Sequence, residues 1–321
     1  MIFDRLGIEL LWRGKRVTLR GLFLVSMIMS EPIKFIVIMA TYNRCERLPK
    51  AVRSLIEQTY PHWHLVLVDD GSEDDTALFF EQLKDERIHC FSQGENKGVN
   101  AARNRALDEI SRLGLSGYVT LLDDDDSFAP DCFELASRNM KRVPNYNWYT
   151  ADCVNTQGGK ISRIRQYGKA SYLEDNMFGK RIRGDQTHFI LSDELGDVRF
   201  STKFKNAEEW YFFCQLAAKN DMYMFDFDAK IVEVLPTGLM RSGLNKDKAI
   251  EVLRYKIESL SPYVDDKRLV HQYVSLVKHL LAKKELAEAR EWLKKAFKVN
   301  PFHLRQYRYW IRLLINQGSS K

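Results

Sequence analysis

The chain has 321 residues, of which 45% are hydrophobic and 29% are charged, as is ordinary for a folded protein with ample material for a core. Its five cysteines are scattered and odd in number, which argues against a disulfide framework or a zinc site and for a reducing cytoplasm. The net charge of +6 is unevenly placed, because bases dominate residues 267–321 whereas residues 69–86 are acidic. This asymmetry predicts two kinds of partner, an anionic surface and a metal-bound anion.

Residues 1–30 faintly resemble a signal peptide, since four basic residues precede an apolar run at 21–29. No small-residue cleavage site follows, and nine apolar positions fall far short of the ~20 needed to span a bilayer. Two interpretations stay open. Translation starts at Met27 or Met29 and the rest is a mis-assigned extension, or the segment is amphipathic and lies on a membrane surface.

From residue 34 onward, short apolar strands alternate with amphipathic helices. The pattern predicts strands at 35–39, 65–68, 88–91 and 118–122, with helices from 48 to about 60, 74–83 and 99–113 between them. Because each strand is almost wholly apolar, we predict an α/β fold with a mostly parallel sheet covered by helices on both faces.

Four consecutive carboxylates, at residues 123–126, follow the fourth predicted strand. Adjacent like charges raise one another's pKa unless a cation neutralises them, and oxygen ligands at the carboxyl end of a parallel strand suit Mg²⁺ or Mn²⁺. The alternative is structural, with Asp126 or Ser127 capping the helix that follows Pro130.

Polar residues also follow the other predicted strands. Thr41 and Asn43 come after the first, Asp70 ends the second, and Asn96 and Arg103 flank the third crossover. We therefore expect all of them at one edge of the sheet, beside the acidic residues.

Together these segments resemble the family 2 glycosyltransferases of GT-A fold. The resemblance rests on four motifs in the right order and spans residues 34 to about 235: MATYNR at 39–44, VDDGS at 68–72, NKG at 96–98 with ARN at 102–104, and LDDDD at 122–126. It implies a Rossmann-like nucleotide-binding half that takes a nucleotide-diphosphate sugar, most often UDP-linked.

The resemblance also implies individual roles. Asp70 matches the acidic residue that accepts a hydrogen bond from the pyrimidine N3–H, and Arg103 matches the basic residue that packs near the uracil. Asp123 or Asp124 would hold the ribose, while Asp125 and Asp123 would ligate Mn²⁺ or Mg²⁺. Thr41, Asn43 and Asn96 belong to the same nucleotide-sugar site. The structural alternatives are that Asp69 only caps the next helix and that Arg103 is a surface residue.

The second half is richer in aromatic residues, and a helix is predicted to open at residues 206–212. That segment resembles the family's catalytic segment, which makes Glu209 the implied base and Glu208 the second candidate, although the family usually has aspartate there. Acids that stabilise a helix start are the alternative. The aromatic residues predict a surface that stacks on sugar rings, or half-buried strands: Trp148, Tyr149, Tyr167, Tyr172, Phe178 and His188. Residues 236–248 lack the histidine that family members often supply near the metal.

Residues 246–321 are predicted to be a helical extension containing one helix pair like that of tetratricopeptide repeats. Lysines, arginines and aromatic residues interleave there, which fits either contact with an anionic bilayer or a solvated face with its aromatics inward. Nothing else in the chain supports nucleic-acid binding.

We thus expect an N-terminal extension (1–30), a GT-A domain (31–245, with a nucleotide-sugar half at 31–130 and an acceptor half at 131–245) and a helical extension (246–321). The predicted activity is an inverting, metal-dependent transfer from a UDP-sugar to a saccharide or glycolipid hydroxyl, in lipopolysaccharide or other surface-glycan synthesis. The predicted place is the cytoplasm, with peripheral contact to the inner face of the cell membrane as a further expectation. The rival hypothesis is a non-catalytic interaction protein that uses the helical extension.

Overall fold

The computed structural model describes residues 9–12, 15–18, 31–204, 209–233 and 246–318. In chain order, its strands are β1 (Glu9–Trp12), β2 (Lys15–Thr18), β3 (Phe35–Thr41), β4 (Trp63–Asp69), β5 (Ile88–Ser92), β6 (Tyr118–Leu121), β7 (Ser127–Phe128), β8 (Trp148–Asn155), β9 (Arg163–Ile164), β10 (Gly168–Ala170), β11 (Ile182–Arg183), β12 (Gln186–Leu191) and β13 (Met222–Val232). The α-helices are α1 (Leu48–Ile56), α2 (Thr76–Gln82), α3 (Val99–Arg112), α4 (Cys132–Arg142), α5 (Glu209–Ala217), α6 (Lys246–Leu260), α7 (Asp266–Ala282), α8 (Leu286–Val299) and α9 (Leu304–Gly318).

Nine strands form one sheet in the order β10–β13–β8–β12–β6–β3–β4–β5, with β7 paired to β13. Strands β6, β3, β4 and β5 are parallel neighbours, and β13 runs parallel to β8. Strand β12 lies antiparallel between β6 and β8 and so joins the two halves of the sheet. The predicted α/β fold is confirmed and the first half of the sheet is parallel as predicted, whereas the pairings of β10, β12 and β7 make the whole sheet mixed.

Helices cover both faces of this sheet, as predicted. Alternate residues of β3 point to opposite faces, so Ile36 and Ile38 pack with α3, whereas Val37 and Met39 pack with α1 and α4. All four side chains are fully or almost fully buried. A strand buried on both faces must be apolar at every position, which is why residues 35–39 read as a continuous hydrophobic run.

The last strand in the chain, β13, runs from Met222 to Val232 with two register shifts against β8. One prediction about a helix start is wrong. Asp126 and Ser127 do not cap the helix after Pro130, because Ser127 lies in β7 and α4 begins five residues later, at Cys132. In the N-terminal region, β1 and β2 pair antiparallel, and the apolar run at 21–29 lies outside the described residues.

Of the two interpretations of the aromatic residues, the sugar-stacking surface is wrong for three of the six residues. Trp148, Tyr149 and Tyr172 are buried, and the Trp148 ring stacks on Tyr172 with ring centroids 5.6 Å apart. These side chains belong to the hydrophobic core. The sequence could not separate the two cases, because strands that pack in a core are enriched in aromatic residues as sugar-binding surfaces are.

His188 is part of this aromatic core and is held neutral. Trp148 donates its indole N–H to His188 Nδ1 over 3.0 Å, and the imidazole and Phe213 ring centroids lie 4.1 Å apart. Burial lowers the pKa of His188 to about 3. The unfolded chain takes up a proton near pH 6.5 but the folded chain does not, so stability is lost as pH falls from about 6.5 toward 3.

We expect His188 to lower the free energy of unfolding by about 2 kcal/mol when the pH falls from 7 to 5. His188→Gln keeps a hydrogen-bond acceptor for Trp148 and removes the titration. Urea unfolding at both pH values should therefore show a smaller loss for the variant than for the wild type. Equal losses in the two proteins would contradict the assignment.

The C-terminal helices pack on the same core as α3. The predicted helix pair corresponds to α7 and α8, whose Tyr273, Leu276, Leu280, Ala289, Leu293 and Ala296 are fully buried. Arg268 of α7 forms an ion pair with Glu174, and Tyr255 of α6 donates to Ser201 Oγ over 2.5 Å. Within the ranges given above, no helix combines the length and the apolar character needed to cross a bilayer.

Candidate active site

The carboxyl ends of β3, β4 and β6 bring the predicted motifs together at one edge of the sheet. Thr41, the last residue of β3, donates its hydroxyl to Asp124 Oδ2 over 2.7 Å, although 83 residues separate the two in sequence. Both side chains are buried. The strand order therefore places the loop after β3 directly against the acidic residues that follow β6.

Arg44 pairs with two of the four acids. Its Nη1 lies 3.0 Å from Asp124 Oδ1 and 2.6 Å from Asp125 Oδ2. Burial raises the pKa of Asp124 to about 6, against the opposing effects of the Thr41 hydroxyl and the Arg44 guanidinium. Arg44 was quoted in a motif but not proposed as a site residue, because the sequence does not show which way its side chain points.

Arg103 joins the acidic residues to the second half of the protein. Its Nη2 lies 2.8 Å from Asp123 Oδ1 and its Nη1 lies 2.6 Å from Glu209 Oε1. Arg103 is 6% exposed, so the alternative that it is an ordinary surface residue is wrong. Burial alone would raise the pKa of Asp123, but Arg103 holds it below its usual value. The guanidinium also lies over Phe200, 5.5 Å from the ring centroid.

The fourth acid, Asp126, faces a different cation. Lys230 of β13 is buried, with its Nζ 3.5 Å from Asp126 Oδ2 and 2.9 Å from Asp185 Oδ2. Burial raises the pKa of Asp126 to about 7, in spite of Lys230. Burial disfavours the charged amine, yet Asp185 and the other acids keep the pKa of Lys230 well above its usual value. The repulsion expected among the four acids is thus relieved by three basic side chains of the chain itself.

Asp70 organises the predicted nucleotide loop. It accepts hydrogen bonds from Gln93 Nε2 at 2.6 Å and from the backbone N–H groups of Lys97 and Gly98, both at 2.8 Å. Gly71 packs so closely on this loop that a Cβ would lie 2.6 Å from the Glu95 carbonyl carbon. A carboxylate has about four acceptor positions, so three protein donors leave one for a ligand.

Asn43 and Asp69 shape neighbouring turns. Asn43 has a positive φ of 50°, and its side-chain oxygen accepts from the Glu73 N–H over 2.7 Å. Asp69 accepts from the N–H and the hydroxyl of Ser72, and it does not cap α2, which begins at Thr76. Asn96 lies exposed on the loop that Asp70 holds.

Glu209 is the first residue of α5 and is 40% exposed, whereas Glu208 lies outside the described residues. The ion pair with Arg103 places the Glu209 carboxylate one guanidinium away from Asp123. Glu209 can therefore stabilise the start of α5 and also lie beside the acidic residues. A role at the helix start does not exclude a catalytic role.

The donor set fits a divalent cation in part. Asp123 and Asp125 are partly exposed, and their ion pairs involve only one oxygen of each carboxylate. Within residues 31–204, 209–233 and 246–318, no three His, Cys, Asp or Glu side chains converge on a common point. The described residues thus offer two carboxylates, and a metal ion held here needs further ligands, which the phosphates of a bound nucleotide could supply. The family histidine was sought in residues 236–248, of which 236–245 lie outside the described residues.

The family model described as glycosyl transferase family 2 matches residues 36–200, which include every acidic and basic residue of the first-half site. The chain belongs to glycosyl transferase family 2. A relative from Bacillus subtilis, the putative teichuronic acid biosynthesis glycosyltransferase TuaG, is 38% identical over 165 residues, or 51% of this chain and 64% of that protein. The match thus spans a little under two thirds of this relative's length.

A relative from Escherichia coli, the UDP-Glc:alpha-D-GlcNAc-diphosphoundecaprenol beta-1,3-glucosyltransferase WfgD, is 31% identical over 187 residues, or 58% of this chain and 70% of that protein. Among solved structures, S. aureus TarS 1-349 in complex with UDP-GlcNAc has a TM-score of 0.64 and 16% identity, over 88% of this chain and 89% of its own. A mannosyltransferase from Pyrobaculum calidifontis with GDP-Man and Mn²⁺ has a TM-score of 0.50 and 17% identity, over 91% and 89%. These neighbours confirm the GT-A fold.

Proposed function

We propose that this protein is a glycosyltransferase that moves a sugar from a UDP-sugar to a saccharide hydroxyl on a surface-glycan precursor, with inversion. The observation that carries the proposal is the Arg103 bridge, since one guanidinium binds an acid of the donor motif and the candidate base. A transferase needs both within reach of one sugar carbon. The relatives' names, which refer to polysaccharide and lipid-linked glycans, support the acceptor class.

On the donor side, the open acceptor position of Asp70 is assigned to the uracil N3–H. Asp123 or Asp124 is assigned to the ribose, and Thr41 keeps Asp124 in place through its hydroxyl. Arg103 is assigned to the neighbourhood of the uracil. Its ion pairs with Asp123 and Glu209 fix the plane of the guanidinium. Asn43 and Asn96 act through the loops that surround the nucleotide.

Asp125 and Asp123 would hold Mn²⁺ or Mg²⁺ together with the donor's phosphates. When bound, the cation supplies charge stabilisation to the diphosphate as it leaves. Arg44 contacts Asp125 and so holds one of these carboxylates toward the site.

Glu209 is assigned as the general base. Its carboxylate takes the proton of the acceptor hydroxyl, the hydroxyl oxygen bonds to the anomeric carbon, and the bond to UDP breaks in the same displacement. The attack on the face opposite the leaving group inverts the configuration. Arg103 then orients Glu209 without itself exchanging a proton, because a guanidinium stays charged.

The experiment that tests the proposal measures UDP release from a panel of UDP-sugars, with Mn²⁺ and with EDTA. We expect release with at least one donor, stimulated by a saccharide acceptor and lost in EDTA. The rival hypothesis, an interaction protein on a degenerate GT-A domain, predicts neither release nor UDP binding by calorimetry. The second result would overturn the assignment.

The proposed place of action is the cytoplasm, with peripheral contact to the inner membrane face through α9. Four large apolar side chains of α9 share one exposed face, because they recur at intervals of three or four residues: Leu304, Tyr307, Ile311 and Leu314. Phe302, just before the helix, is 85% exposed. Exposed arginines flank this stripe, at positions 305, 308 and 312, which suits an anionic bilayer.

The structure also revises which residues would make this contact. Of the basic residues predicted to meet a membrane, Lys283, Lys294 and Lys295 are engaged in ion pairs with acids of the chain. Two of the predicted aromatic residues, Tyr309 and Trp310, pack on the core, so the inward alternative holds for them.

Leu304→Ser with Ile311→Ser should lower partitioning onto vesicles of anionic and zwitterionic lipid by at least about 10-fold. The reason is that burying each apolar side chain in the membrane contributes about 1.5–3 kcal/mol to the binding free energy. The matched control is Ile56→Ser with Leu78→Ser, two exposed apolar residues on other helices. Co-sedimentation measures both. Equal binding by the two double variants would rule out α9 as the contact.

A further inference from the structure

Two arginines oppose each other on a small ribbon outside the active site. Strands β9 and β11 pair antiparallel, and Arg163 is the direct partner of Arg183. Directly opposed residues of an antiparallel pair project to the same face, where like charges destabilise the pairing. Arg165 extends this row, because its N–H donates to the Arg181 carbonyl one step further along the ribbon.

The ribbon forms one wall of an open pocket of about 400 Å³, which is the size of a small-ligand site. Five of its eight lining residues are basic and none is acidic: Lys160, Arg163, Arg165, Lys180 and Arg183, with Ser162, Ile164 and Tyr167. We call this the ribbon pocket.

Most of the charge in the ribbon pocket is uncompensated. Lys160 pairs with Asp152 and Asp228 at 2.5 Å. The other four bases have no acidic partner within 4 Å among the residues that the structure describes. The neighbouring Arg181 is different, since it donates to the carbonyls of Gln166, Tyr167 and Lys169 and thereby fixes the loop. All four are exposed, so the pocket presents a concentration of positive charge to solvent that attracts anions.

The ribbon pocket is tied to the acidic residues of the active site. Ser162 donates its hydroxyl to the Asp185 carbonyl over 2.5 Å. The Asp185 carboxylate binds Lys230, which lies 3.5 Å from Asp126. Three successive contacts thus connect a residue that lines the pocket with the acidic motif, and all three lie in the second half of the chain or join it to that motif.

We propose that the ribbon pocket binds the diphosphate of a glycosyl-diphosphate-lipid acceptor, an inference that rests on the proposed function and identifies its acceptor. Guanidinium groups match phosphate oxygens in pairs, and several in one pocket suit two adjacent phosphates. A phosphodiester polymer would instead be matched by cations spaced along a groove. The glycan attached to the diphosphate then extends toward Glu209.

The test uses inorganic pyrophosphate and UDP as separate probes in calorimetry. Arg163→Gln with Arg183→Gln should weaken pyrophosphate binding in EDTA by about 10- to 100-fold, since two charge-assisted contacts are lost. UDP binding in Mn²⁺ should be unchanged, because neither arginine belongs to the donor motifs. The matched control is Arg138→Gln with Lys141→Gln, two exposed bases of α4, which should change neither.

Two further results separate this inference from the proposed function. In turnover assays, the ribbon variant should raise KM for GlcNAc-diphosphate on a short alkyl chain, but not for the same sugar as an alkyl glycoside. Unchanged pyrophosphate binding, or a stronger preference for a phosphodiester oligomer than for pyrophosphate, would overturn the inference. Failure of the wild type to bind UDP would instead refute the proposed function, because the pyrophosphate measurement does not depend on it.

Discussion

Replacing Glu209 by glutamine is expected to lower kcat by about 10²–10⁴-fold, the usual contribution of general-base assistance. A sugar hydroxyl is a poor nucleophile, and the amide cannot accept its proton. The amide oxygen can still accept from Arg103 Nη1, which lies 2.6 Å from the carboxylate in the wild type. UDP binding by calorimetry should therefore stay nearly unchanged.

Two neighbouring substitutions make this prediction specific. Glu208→Gln should do much less, and Glu209→Asp should retain partial activity, because it restores the more usual family residue with a shorter reach. If the Glu208 variant were inactive and Glu209→Gln active, the base would be misassigned by one residue. Activity in both glutamine variants would place the catalytic base elsewhere.

Asp125→Ala should abolish activity that depends on Mn²⁺ while the protein stays folded. Asp125 is partly exposed and pairs with Arg44, which keeps Asp124 as a partner after the substitution. The loss should thus fall on the cation and its diphosphate rather than on the core. A thermal melt and a titration of UDP release against Mn²⁺ measure the two effects.

The matched control for this variant is Asp197→Ala, which removes an exposed acid away from the site. It should leave turnover and the Mn²⁺ titration unchanged. Near-normal turnover of Asp125→Ala at saturating Mn²⁺ would contradict its role as a ligand.

The sequence was enough to predict the first half of the fold. Each strand there is buried on both faces, so its run of apolar residues has one structural meaning, and the predicted strand at 88–91 differs from β5 by one residue. The rule that ligands lie at the carboxyl ends of parallel strands then placed Thr41 near Asp124, as the hydrogen bond between them shows.

The counterions of the site could not be predicted in the same way. Lys230 lies more than a hundred residues from Asp126 and on a strand whose pairing no local pattern specifies. Gln93, which donates to Asp70, sits in a loop without periodicity. In the second half, buried strands and ligand-binding surfaces are enriched in the same aromatic residue types, so the sequence could not assign Trp148 and Tyr149 to the core.

The interleaved strand order has a consequence for transplanting acceptor specificity between family members. Strand β12 comes from the second half of the chain but lies between β6 and β8, and β13 pairs with β7 beside the acidic motif. In a chimera joined near residue 130, β12 and β13 would come from one protein and their pairing partners β6 and β7 from the other. To keep Asp126 paired, the grafted half has to supply a lysine at position 230 and an acid at position 185. The acidic loop of the first half and strands β12 and β13 of the second are therefore inherited as a set. Shorter exchanges confined to the ribbon strands β9 and β11, which lie outside this sheet, are the ones it tolerates.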